Sequence, residues 1–182
     1  MTEFKNVGEI YSWLDKTRNK VVETVSILNE EQAGFRPSED KWSASLLVEH
    51  LAKTEANLVR VVGKLLGKAE AENVPSDGNI NPPFSFAEIA ERWQGMRFEA
   101  PAFIVPEGAT DIAESLKLLA ESRRALAKLR PRIEAVNGSN AKYPHPAFGP
   151  LDLYQWLGFI GLHEMHHLRQ IENLLAVQNN SN

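Results

Sequence analysis

The sequence predicts an all-α fold: a bundle of four long helices, with an irregular insert between the second and the third. Three observations carry this prediction. Four segments repeat apolar residues at three- and four-residue spacing, the period of a helix buried on one side. Cap and turn residues punctuate the chain between them. No segment shows a convincing apolar–polar alternation of the kind that marks a strand. Helices that each carry one apolar stripe, with no sheet to cover it, bury their stripes against one another.

The first helix is expected from about Phe4 to Leu28, with Val7, Ile10, Tyr11, Leu14, Val21, Val25 and Leu28 on one stripe. The loop AGFRPSEDKW follows, held by Pro37. The second helix opens at Ser43 as N-cap, with Trp42 and Leu47 placed as a hydrophobic staple. It runs through His50 to about Leu66, and Gly67 is the expected stop. Residues 68–110 are the insert. Within it AENVPSDGNINPPFSF reads as a loop, Ser85 and Glu88 as a capping box, and Phe86 to about Met96 as a short helix. FEAPAFIVPEGA looks extended or irregular. Such an insert either covers a pocket or is a long surface connection. The third long helix spans about Asp111 to Asn137, with an Asp111–Glu114 capping box, the stripe Ile112, Leu116, Leu119, Leu126 and Ile133, and Gly138 as its end. KYPHPAFGP reads as a loop, and the fourth helix runs from near Leu151 to about Val177. From about residue 178 the tail QNNSN is polar and expected to fray. The 182 residues fit one domain, 1–182, without internal repeats.

Composition removes several function classes. A net charge of -4, with no basic block interleaved with aromatics, argues against nucleic acid or an anionic membrane as partner. With no cysteine, disulfide frameworks, thiolate ligands and cysteine nucleophiles are excluded. No apolar run approaches the roughly 20 residues that span a bilayer, and the acidic, spaced start MTEFKNVGEIYSWL is unlike a signal peptide. The expected location is the cytoplasm.

Three of the five histidines lie in HEMHHLRQIENLL, which begins at His163. Residues four apart on a helix project about 40° apart, one turn along. His163 and His167 therefore share a face with Trp156, Ile160, Gln170 and Leu174, on the apolar and inward side. Two inward imidazoles at this spacing can chelate one metal ion; the plain alternative is two helix histidines in ordinary hydrogen bonds. His50, early on the second helix, is the natural third ligand from a facing helix. Its alternative is a half-buried histidine bonded to a neighbour. His166 projects about 60° to the other side of His163 and either faces solvent or flanks the pocket. His145, between two prolines, either points over the pocket mouth or pins its loop. Gln170 projects about 20° from His163 on the same face and is placed to brace the two helix ligands. Glu164 lies about 100° from His163 and reaches the pocket edge at best, as a catalytic base or as a surface or bracing residue.

Read literally, His163-Glu164-Met165-His166-His167 matches the H-E-x-x-H of zinc proteases. The context opposes that reading. The metzincin extension needs Gly at 170 and His at 173, where this chain has Gln170 and Asn173. Only fifteen residues follow His167, too few for a later ligand helix, and no strand-rich half is present to hold a peptide.

A different pattern spans most of the chain. Trp42-Ser43 followed by His50, then His145-Pro146 with Gly149 and Leu151, then His163 and His167 followed by Gln170-Ile171, resembles the DinB/YfiT-like superfamily. The insert at 68–110 matches nothing in that pattern. The resemblance implies a four-helix bundle with one divalent metal, zinc or nickel, held by His50, His163 and His167. It also implies frequent homodimers. Family functions differ: some members resemble thiol S-transferases using a small intracellular thiol, one relative is a thiol-dependent isomerase, and many are described as metal-dependent hydrolases without a known substrate. The family thus implies the site more firmly than the reaction. The leading expectation is a metal-dependent enzyme, a hydrolase or thiol S-transferase, acting on a small molecule. An ion there would lower the pKa of water or of a thiol cosubstrate. The alternatives are a non-catalytic metal-stabilised bundle that binds a small ligand or partner, and a plain bundle with incidental histidines.

Overall fold

The computed structural model describes residues 3–94 and 99–181. Its elements run α1 (Val7–Val25), α2 (Glu30–Gly34), α3 (Ala44–Glu72), α4 (Ala87–Gln94), a 3-10 turn (Ala102–Ile104), α5 (Ile112–Ala135), β1 (Lys142–His145), β2 (Gly149–Asp152) and α6 (Leu153–Ser181). The four long helices α1, α3, α5 and α6 stand where the periodicity predicts. They form a closed ring: α1 packs on α6, α6 on α3, α3 on α5, and α5 on α1.

The caps explain most boundaries. Asn6 accepts the Glu9 N–H at 2.9 Å and starts α1 at Val7, later than expected. The N–H of Phe4 instead bonds the Phe84 carbonyl at 2.7 Å, tying the N-terminus to the insert. Ser43 caps α3 by accepting from the Leu46 N–H at 3.3 Å, and Asp111 caps α5 through the Glu114 N–H at 2.8 Å. Trp42 and Leu47 pack in one apolar cluster, as a staple requires.

Several boundaries differ from expectation. Helix α3 passes Gly67 and ends at Asn73, which takes the left-handed φ of 51°. A glycine stops a helix only when that conformation is used, and Lys-Ala-Glu-Ala-Glu after it favours helix strongly. Helix α5 ends at Ala135, because Val136 is already extended, before Gly138 is reached. Ser85 accepts from the Ala87 N–H rather than closing a box with Glu88, so α4 begins at Ala87; Met96, its expected end, lies outside the described residues. The segment KYPHPAFGP is a hairpin, with Lys142 opposite Asp152 and His145 opposite Gly149. Strands this short, carrying Pro144 and Pro150, cannot display a period of two. The unexpected α2 is announced by a full capping box between Asn29 and Gln32. The polar tail continues α6 to Ser181, with Gln178 buried.

The core divides into two apolar clusters. One holds Leu14 of α1, Leu58 of α3, Leu126 of α5 and Leu162 of α6. The other holds Val21, Leu51, Leu119 and Leu168 of the same helices. Between them lies a layer of charge, one member from each long helix: Arg18, Glu55, Arg123 and Glu164. The Arg18 guanidinium donates to Glu55 and, through Nε at 2.6 Å, to Glu164. Arg123 donates to both Glu164 oxygens at 3.2 Å and lies 3.4 Å from Glu55. Thr17 donates to Glu164 at 2.5 Å, and Arg18 reaches the Leu119 carbonyl at 2.9 Å. Both carboxylates are almost wholly buried.

Removing one member of such a layer strands the others without their counter-charge. Arg18→Met is therefore expected to destabilise the protein by about 3–5 kcal/mol, read from the midpoint and slope of urea unfolding. A cost under about 1 kcal/mol would mean that the layer behaves like surface ion pairs.

Candidate metal centre

The site is built where α3 and α6 face each other. His50 lies in the second turn of α3, and His163 and His167 are one turn apart on α6. All three are buried, between 3% and 8% exposed. Their nearest ring nitrogens lie within 4.8 Å of one another, and among the described residues this is the group able to hold a metal ion.

The hydrogen bonds assign the proton of two of the three. A carbonyl can only accept, so the 2.8 Å contact from His50 Nδ1 to the Ile104 oxygen puts the proton on Nδ1. That leaves the Nε2 lone pair free, with Thr54 Oγ1 at 3.5 Å. His167 Nδ1 likewise donates to Gln170 Oε1 at 2.8 Å, and the Gln170 amide N–H turns to His166 Nε2 at 3.2 Å. Thus Gln170 fixes the tautomer of His167 and is itself oriented from the other end. His163 Nε2 and His167 Nε2 approach to 3.2 Å. Two nitrogens bound at 2.0–2.1 Å to one tetrahedral ion would be about 3.3 Å apart. The donor set therefore fits a divalent transition-metal cation.

The remaining residues fall as follows. His166 stacks on Trp93, rings 4.3 Å apart and 14° from parallel. His145 stacks on Phe148 at 4.7 Å and accepts the Ala147 N–H on Nδ1 at 3.1 Å. The ring of Phe159 packs against both His145 and His163, and the hairpin is tied to α6 by Trp156 Nε1 donating to the Tyr143 carbonyl at 3.0 Å. Glu164 is neither at the pocket edge nor on the surface. One residue on from His163, its side chain swings toward α1 and α5, where Arg18 and Arg123 neutralise it. The insert lies against the site rather than running over a remote surface: Trp93 of α4 also stacks on Phe159, and Ile104 holds His50.

Comparison with known proteins identifies the family and the fold. The profile of the DinB superfamily matches residues 14–171. The chain belongs to the DinB superfamily. Among curated relatives, YuaE of Bacillus subtilis is 26% identical over 149 residues, covering 81% of this chain and 85% of its own. A protein of Oceanobacillus iheyensis named "Putative metal-dependent hydrolase OB0413" is 25% identical over 178 residues, covering 96% of this chain and 89% of its own. Among solved structures, the four-helix bundle protein TT2238 superposes with a TM-score of 0.61 at 20% identity, over 91% of this chain and 98% of that one. YfiT from Bacillus subtilis, described as a probable metal-dependent hydrolase with an unusual four-helix bundle topology, gives 0.60 at 20%, over 94% and 87%. The all-α bundle of DinB/YfiT type is thereby borne out. No helix of the described residues is long and apolar enough to cross a membrane.

In this DinB bundle the histidines are kept neutral. Burial first, then the neighbouring imidazoles, pushes His163 and His167 well below the usual histidine value. Burial lowers His50 as well, against the Ile104 hydrogen bond, which favours its protonation. Burial brings His145 and His166 down from 6.5 to about 4. Neutral imidazoles keep their lone pairs at physiological pH, as ligation requires.

Sequence reasoning missed Thr17, Arg18, Glu55 and Arg123. The signal was present: the apolar stripe of α1 breaks between Leu14 and Val21, and that of α5 between Leu119 and Leu126. Polar residues at interior positions of a stripe mark a buried polar layer.

The depressed histidines set an acid limit. An unfolded imidazole takes up its proton near 6.5, whereas His145 and His166 wait until about 4. Between these values the unfolded chain binds more protons, so stability falls as pH drops through that window. The melting temperature of metal-free protein, followed by circular dichroism, is expected to hold above pH 7 and decline from pH 6.5 to 5. His145→Gln and His166→Gln should each flatten the decline; an unchanged slope in both would remove these two histidines as its source.

Proposed function

We propose that His50, His163 and His167 bind one divalent ion, zinc or nickel, and that the protein is a metal-dependent enzyme acting on a small molecule, as a hydrolase or a thiol S-transferase. One observation carries this: three buried, neutral imidazoles converge from two helices, two of them with the proton held on Nδ1 so that the Nε2 lone pair is free. Three protein ligands without a carboxylate leave the ion its full charge and open positions, the pattern of catalytic rather than structural sites. When bound, such an ion supplies Lewis acidity, making a water or a thiol nucleophilic at neutral pH. The thiol would come from a cosubstrate, since the chain has no cysteine. The protein's own part is orientation, through Ile104 and Gln170, and exclusion of bulk water by Trp42, Trp93 and Phe159, whose rings pack on the histidines.

Those rings also support a second reading, a metal-stabilised bundle without catalysis. The two readings differ in whether an external ligand reaches the ion. Untagged wild type is expected to carry one equivalent of metal by elemental analysis, and His50→Ala and His167→Ala to lose it. Adding a low-molecular-weight thiol to cobalt-loaded protein should then produce a thiolate charge-transfer band. Metal without that band favours the structural role. Wild type that takes up neither zinc nor nickel would overturn the metal reading.

A further inference from the structure

Neighbouring residues of α3 divide the work at this site. His50 turns to the α6 histidines. Glu49, about 100° round the helix, turns to the strap Ile104–Gly108 and is 1% exposed. Its Oε1 accepts the Glu107 N–H at 3.1 Å and its Oε2 the Gly108 N–H at 2.9 Å. One turn on, Lys53 pairs with Glu49 at 3.0 Å and donates to the Val105 carbonyl at 3.0 Å. The strap thus meets α3 at successive points: Ile104 on His50, Val105 on Lys53, Glu107 and Gly108 on Glu49. Pro106 is buried between them, and Gly108 takes a φ of 73° to bring its N–H round. An unsupported carbonyl on a connecting segment would hold a ring nitrogen only loosely. Here that carbonyl belongs to a segment clamped through a buried carboxylate.

We propose that Glu49 is a positioning residue of the metal centre: by clamping the strap it keeps the Ile104 carbonyl on His50 Nδ1, so that Nε2 stays unprotonated and aimed at the ion. This inference rests on the three-histidine metal reading. It adds a component outside the ligand set, and it makes the insert part of the site. Outer partners that fix ligating histidines typically contribute ten- to a hundredfold in metal affinity.

The test uses the full chain, labelled with nitrogen-15, and two readouts. Ring-nitrogen correlation spectra of metal-free protein report the His50 tautomer, and competition with a chromophoric chelator reports the Kd for zinc alone. Wild type is expected to carry the proton on Nδ1. In Glu49→Gln one acceptor oxygen becomes a donor facing a backbone N–H, and the Lys53 pair is lost. His50 should then populate the Nε2–H tautomer, and the zinc Kd should rise about ten- to a hundredfold. Glu107→Ala, which keeps the backbone N–H, should behave as wild type. Should Glu49→Gln fail to fold, Lys53→Met carries the same two readouts. Both must move. A drop in melting temperature with the tautomer retained and the Kd within twofold of wild type is a merely structural role and overturns the proposal. If wild type binds neither zinc nor nickel, the metal reading fails, and the tautomer in Glu49→Gln alone decides whether Glu49 positions His50.

Discussion

The buried charge layer of Arg18, Glu55, Arg123 and Glu164 constrains everything else in this bundle. Apolar stripes alone fix a helix bundle weakly, because a helix can slide or rotate and still bury Leu and Val against Leu and Val. Charged groups taken out of water tolerate no such freedom. Each long helix contributes one member, and the two guanidiniums serve two carboxylates. A helix that rotated would leave its charge facing the apolar cluster above or below. The layer is a poor source of net stability, since desolvation offsets most of the attraction, yet it makes wrong registers very costly.

That constraint reaches the histidines through the backbone of α6. Glu164 sits between His163 and His167, and its carboxylate is held from α1 and α5. Fixing that one residue fixes the azimuth of its neighbours, so the histidines are turned toward α3. Glu55 does the same for α3, five residues beyond His50 and next to Thr54. The facing of two helices that a three-histidine site requires is therefore set by groups that take no part in it. The literal protease reading of His163-Glu164 fails for the same reason: a glutamate committed to two arginines and a threonine is not available as a base.

Legibility in the sequence followed the range of the forces involved. The four helices were readable because burial of one face imposes a local period, and Ser43 and Asp111 were readable because capping is local. The shared face of His163 and His167 followed from helix geometry alone. The bundle made His50 the natural third ligand, and the pattern resemblance implied its register, since no local rule states which turn of α3 opposes which turn of α6. The hairpin at 142–152 escaped because proline-rich four-residue strands show no period. Arg18 and Arg123 escaped because helical periodicity marks interior positions by apolar residues, and a polar layer interrupts that signal. The strap escaped because its bonds to Glu49, His50 and Lys53 run across more than fifty residues of sequence.

The site is thus held by two devices of different character. His163 and His167 stand on one rigid helix, locked by the charge layer and by the Gln170 bridge to His167. His50 stands on another, but its tautomer depends on the carbonyl of a connecting segment. That segment belongs to the insert between α3 and α5, and α4 of the same insert lays Trp93 on His166 and Phe159. Changes in the insert can therefore alter access to the histidines, and the hydrogen bonding of one of them, without disturbing the packing of four helices. Shared membership of a fold does not fix the chemistry done on it, and here the surroundings of the histidines are set by insert residues such as Trp93 and Ile104 as well as by the four helices.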